Sequence, residues 1–171
     1  MKRTYLMSAT AIACLFLLAS CATPTGGDKM LLPRTTLPEE AGPWLTSYDA
    51  ALAESGKSGK PVLAYFTAGS SDPWAAPWCW KLNQEVFETN RFRAWAEKNV
   101  VLLKLHYPFR RPQDEATKKA NAELARKYEI EGCPTVILMK SDGTKIGTMD
   151  YMRGGAEPWI EHAQKILDEN K

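Results

Sequence analysis

Two cysteines, Cys79 and Cys133, are the residues of this chain best suited to chemistry. Cys79 follows a Gly, Ser, Asp and Pro-rich turn and stands where a helix is expected to begin. A thiol in the first turn of a helix meets the positive end of the backbone dipole, which favours the thiolate, the form that attacks disulfides and binds metals. Cys133 sits in the run Glu131-Gly132-Cys133-Pro134-Thr135, a break before a strand. His106, at the end of another strand, adds an imidazole, so that sulfur and nitrogen ligands for a soft metal are conceivable. Trp74, Trp78 and Trp80 crowd the turn around Cys79 and suit either packing or the binding of an extended polypeptide. No Ser/His/Asp order, zinc-finger spacing or dinucleotide glycine pattern accompanies them, and no cofactor is called for.

The remaining cysteines, Cys14 and Cys21, belong to the N-terminus. Lys2 and Arg3 precede a short apolar run, residues 11–19, too short to span a bilayer. Leu18-Ala19-Ser20-Cys21 resembles the lipobox of bacterial lipoproteins, which implies cleavage before Cys21 and a lipid on that cysteine; an ordinary signal peptide or an uncleaved anchor are the alternatives. Residues 1–20 are thus read as a lipoprotein signal and residues 21–43, rich in Pro and Gly, as a flexible lipid-anchored tether, or else an arm ordered across the domain. Ala22 after the cysteine points, by the same resemblance, to the periplasmic side of an outer membrane. Losing Lys2 and Arg3 turns the 22 basic and 20 acidic residues into a balanced set. A neutral domain has no electrostatic case for nucleic acid. Export leaves Cys79 and Cys133 in a compartment where disulfides persist.

Residues 44–171 suffice for one domain with a core. Helical spacing of Trp44, Leu45, Tyr48, Ala51 and Leu52 predicts a helix over 44–55, ended by Gly56–Lys60. Gly56-Lys57-Ser58 precedes a strand and lacks the first glycine of a phosphate loop, so it is a turn. Residues 62–67 read as a buried strand, 78–86 and 91–98 as helices, the latter capped by Thr89 or Asn90, and 100–107 as a second strand. A charged helix over 114–128 is expected to turn Ala116, Ala120, Leu124 and Tyr128 inward. Strand 135–139, a Ser141-Asp142-Gly143 turn and strand 145–151 make a hairpin, and a last helix carrying His162 on its surface runs to about Glu169. Two crossovers followed by a hairpin and a helix give an α/β sandwich.

These elements, with Trp78-Cys79-Trp80-Lys81-Leu82, Glu85-Val86-Phe87, Gly132-Cys133-Pro134-Thr135 and the preceding Ser71-Asp72, resemble the exported thioredoxin-like proteins. The resemblance covers about residues 44–166. It implies a three-layer sandwich with a central mixed sheet of about four strands, a cis proline at Pro134 packed against the redox motif, and thiol–disulfide exchange. In the register set by Lys81-Leu82 and Glu85-Val86-Phe87, Cys79 is the family's second cysteine and the first falls on Ala76. In a second register Cys79 is the first and Leu82 replaces the second. Either way one motif thiol is missing. The buried acid of relatives falls on Tyr65, a poor base at neutral pH.

Three functions stay open. Cys79, with Cys133 as a non-standard redox pair or with an external thiol, could carry thiol–disulfide exchange beside Pro134, flanked by Trp78, Trp80, Pro134 and Thr135 as substrate contacts. A redox-silent module could hold an envelope client, with Cys133 a small apolar filler or the two cysteines a static bridge. Metal handling through Cys79, Cys133 and His106 is the third. Partners in all cases are proteins of the envelope and, through Cys21, a membrane.

Overall fold

A computed structural model describes residues 43–69, 74, 76–107 and 112–171; the signal, the lipobox Cys21, nearly all of the tether and Ser71-Asp72 lie outside them. The elements run α1 (Tyr48–Ser58), β1 (Val62–Thr67), α2 (Pro77–Leu82) continuing as a π turn (Asn83–Phe87), α3 (Asn90–Asn99), β2 (Val101–His106), α4 (Glu115–Lys127), β3 (Thr135–Met139), β4 (Lys145–Met149) and α5 (Ala156–Glu169).

The four-stranded sheet is ordered β2-β1-β3-β4. β1 lies parallel to β2, with Tyr65 opposite Lys104, and antiparallel to β3, with Tyr65 opposite Val136. The parallel pair needs a crossover, which α2 and α3 supply; the antiparallel β3–β4 pair needs only the short turn after Met139. Every residue of β1 is buried, as a central strand covered on both faces requires. Alternation along it sorts the core into two layers. Leu63 and Tyr65 join Phe87, Phe92, Val136, Leu138 and Trp159 beneath α2, α3 and α5. Val62, Ala64 and Phe66 join Leu103, Leu105, Ile137 and Tyr128 beneath α1 and α4. The expected three-layer sandwich is therefore present.

The differences from the sequence expectations have local causes. Trp44 and Leu45 are not helical. Leu45 bridges Leu103, its N–H donating to Leu102 O at 2.9 Å and its carbonyl accepting from Lys104 N at 2.8 Å. Ser47 then caps α1 by accepting from Ala50 N, and the helix runs through Gly56 to Ser58, ending where Gly59 turns left-handed at φ 70°. α4 does not bury Ala116 and Ala120, which are exposed; Asn121 is the buried residue of its length. Its amide donates to His106 O at 3.0 Å, tying α4 to the end of β2. Strand β4 stops at Met149 rather than at residue 151.

The hairpin turn is held from outside. Tyr128 Oη donates to Gly143 O at 2.8 Å and shares a 2.7 Å hydrogen bond with Tyr48 Oη. Gly143 has φ 81°, and a Cβ there would collide with the Tyr48 hydroxyl. Gly143→Ala should therefore lower stability by about 1–3 kcal/mol, read as a shift of the denaturant midpoint. An unchanged midpoint would show that the turn relaxes freely.

Candidate functional site: two thiols beside a cis proline

The site is built where the C-terminal end of β1, the start of α2 and the loop before β3 converge. Pro77 opens α2, as a residue that lacks an N–H is suited to do. Ala76 stands at the helix cap, 6% exposed, and Cys79 follows in the first turn with no exposure at all. The Cys133–Pro134 peptide bond is cis. Ala68, Ala76 and Cys79 form a small buried cluster against which Cys133 packs. Thus two thiols 54 positions apart in sequence meet at one point, both free in this structure. Ala76 belongs to that cluster, whereas Leu82 lies in the aromatic core under α5.

The thiols differ in access. Cys133 is half-buried and lines a cleft of about 380 Å³ together with Ala68, Ala76, Trp78, Tyr107 and Ile130; Cys79 is not among the lining residues. Burial first, and the neighbouring Cys79 second, push the Cys133 thiol up to about 11. The charge of one thiolate is thus felt by the other sulfur.

Behind Cys79 stands Tyr65, fully buried. Its hydroxyl donates to the Cys79 carbonyl at 3.2 Å, which also accepts the helical bond from Asn83 N. Burial above all, then the nearby Cys79, raise the Tyr65 phenol far above its ordinary value. Tyr65 therefore holds its proton and positions the helix; it is not a base for either thiol. Tyr65→Phe should cost about 1 kcal/mol of stability and leave thiol exchange rates unchanged. A collapse of exchange in that variant, with the fold intact, would assign the phenol a proton-transfer role.

The tryptophans differ in exposure. Trp78 is 49% exposed and Trp74 94%, while Trp80 is only partly exposed. Trp78 packs on Tyr151 at 5.4 Å between ring centroids, with Lys81 Nζ 5.0 Å from its ring. Tyr151 in turn donates to Glu85 at 2.7 Å. This bracket, which pins α2 to the loop before α5, was not foreseen; the spacing of Trp78, Lys81 and Glu85 along one helix face was its only sequence signal. Pro134 and Thr135 are both half-buried, with Thr135 Oγ1 donating to Gly132 O at 2.7 Å. Cys79, Cys133 and His106 do not assemble as metal ligands, since among the described residues no three His, Cys, Asp or Glu side chains come together to hold an ion. The carbonyl of His106 instead anchors Gln113 and Asn121. His162 lies on the exposed side of α5.

The model of a thioredoxin-like domain family matches residues 48–158. The chain belongs to the thioredoxin-like family. Its similarity extends to the disulfide bond reductase DsbH of Chlamydia pneumoniae, 24% identical over 164 residues that cover 95% of this chain and 96% of that one. The thioredoxin-related protein DsbJ of the same organism is 30% identical over 103 residues, 60% of this chain but 28% of its own length. Among solved structures, a DsbH oxidoreductase superposes with a TM-score of 0.67 at 25% identity, over 73% of this chain and 83% of that one. A thioredoxin from Thermus thermophilus, at 19% identity and a TM-score of 0.53, covers 71% of this chain and 85% of that one and shares the fold. Within this thioredoxin-like chain Cys79 and Cys133 are the described thiols, and Ala76 is the motif-adjacent position that carries none.

Proposed function

We propose that the protein is a thiol–disulfide exchange protein of the cell envelope, with Cys79 and Cys133 as its reacting pair and a lipid on Cys21 as its membrane anchor. The observation that carries the reading is the packing of Cys133 against the Cys79 cluster, beside the Pro134 loop. Similarity to a protein named as a disulfide bond reductase, over nearly the whole chain, supports the same chemistry. Among the described residues no helix is long and apolar enough to cross a membrane; the lipid anchor is inferred from the lipobox at Cys21. In this reading Pro134 shapes the loop, and Trp78, Trp80, Pro134 and Thr135 flank the approaching protein substrate.

In reduction, the dithiol gives up two electrons and two protons to a substrate disulfide and leaves as a Cys79–Cys133 disulfide, which an external dithiol then reduces. Mixing the reduced domain, residues 22–171, with a disulfide-bonded protein substrate tests this. The expected result is one substrate disulfide opened per chain, with Cys79 and Cys133 both consumed. No opening above a control lacking both thiols would contradict it.

A second reading is a redox-silent binding module. The half-exposed Trp78 beside an apolar cleft, and the alanine at position 76, favour it. In that case loss of both thiols would leave client binding intact.

A further inference from the structure

Access to the two sulfurs assigns them an order. We propose that Cys133, on the loop before β3, is the thiol that attacks the substrate disulfide, and that Cys79, on α2, is the buried thiol that resolves the mixed disulfide. This rests on the exchange reading above and specifies it.

Thiol exchange needs three sulfurs nearly in line, so an incoming disulfide must touch the first thiol directly. Cys79 has no exposed surface and does not line the cleft; Ala68, Ala76 and Cys133 cover it. Cys133 contributes to both environments, lining the cleft on one side and packing on the Cys79 cluster on the other. Ala76, at the start of α2 and also in the cleft wall, offers only a methyl group. The reachable sulfur is therefore on the loop, and the helix supplies the second.

The Cys133 thiol loses its proton to solvent, and its thiolate forms a bond to one substrate sulfur and expels the other as a thiolate, which takes up a proton. Cys79 then attacks Cys133 Sγ while its proton passes to the departing sulfur; the Cys133–substrate bond breaks and the second substrate sulfur leaves as a thiol. One disulfide has been reduced and one formed, and an external dithiol restores the pair. The high proton affinity of the Cys133 sulfur leaves few thiolates for the first attack at neutral pH, but it makes Cys133 a poor leaving group in the mixed disulfide. Collapse of the mixed disulfide then expels the substrate sulfur.

Glutathione disulfide serves as the probe. The domain spanning residues 22–171 is prepared as wild type, C79A, C79S and C133S, and adducts are located by intact mass and peptide mapping. Each variant is first shown to unfold cooperatively. The expected result is that C79A and C79S accumulate a glutathione adduct on Cys133, on the order of tenfold faster than C133S acquires one on Cys79. The wild type should pass through the adduct to an internal disulfide. Faster adduct formation in C133S than in both Cys79 variants would overturn the order while leaving exchange in place. Absence of any adduct or internal disulfide in wild type and variants alike would overturn the exchange reading and the order with it.

Discussion

At pH 7 Cys133 is expected to react with iodoacetamide on the order of tenfold more slowly in the folded domain than after unfolding, because burial cuts its thiolate population about a hundredfold and the greater nucleophilicity of the more basic thiolate recovers only part of that. The thiol moves from its ordinary 9.0 to about 11. Each pH unit below that value cuts the thiolate population about tenfold. The native rate should climb tenfold per unit from neutral pH and bend over only near pH 11. The surrounding groups keep the profile simple. Tyr65 and Tyr107, whose phenols burial raises well above their ordinary value, stay protonated over this range. Glu131 also lines the cleft. Cys79, fully buried, should not compete for the reagent. Since Cys79 is the second cause of the shift, C79A should move the bend downward. A rate that levels off below pH 9 would contradict this environment for Cys133.

The largest stability effect is expected at Trp159. Its side chain is wholly buried, meets Phe87 at 5.4 Å and Phe92 at 5.9 Å edge to face, and donates from Nε1 to Asp150 O at 3.0 Å. Phe87 packs on Tyr65 at 4.9 Å, and Tyr65 holds the Cys79 carbonyl. Truncation of such a residue costs about 3–5 kcal/mol, a large part of the 5–15 kcal/mol that typically holds a domain together. Trp159→Ala should lower the denaturant midpoint accordingly and make Cys79 more open to alkylation, since the aromatic layer backs the helix that carries it. Trp159→Phe keeps most of the burial but loses the hydrogen bond, and should cost about 1–2 kcal/mol. Equal losses for the two variants would place the energy in the hydrogen bond rather than in packing.

Much of this arrangement was legible in the residues. Two thiols, one at a helix start and one before a proline, were enough to single out Cys79 and Cys133, and short apolar runs marked the strands. The resemblance placed Pro134 as a cis proline against the redox helix, and the peptide bond there is cis. What escaped was set by distant partners. Trp44 and Leu45 keep a helical spacing with Tyr48, yet Leu45 is captured by the edge of β2. The small residues of α4 suggested an inward face, but the buried position is Asn121, whose amide is satisfied by a carbonyl of another element. Periodicity cannot report such a long-range hydrogen bond. The π turn after Leu82 was hidden for a local reason: Glu88 N reaches back to Asn83 O, a bond that leaves the sequence pattern nearly helical. The two registers open in the sequence also needed geometry, for only the fold puts Ala76 beside the thiols and Leu82 in the core.

The most direct test of the account is to oxidise the domain mildly, unfold it, alkylate every remaining thiol and map the peptides. The expected product is a single intramolecular disulfide between Cys79 and Cys133, fully opened by a dithiol, with no thiol left to alkylate before reduction. Cys79 and Cys133 both alkylated after oxidation of a folded chain would contradict it, and the exchange reading would give way to that of a binding module.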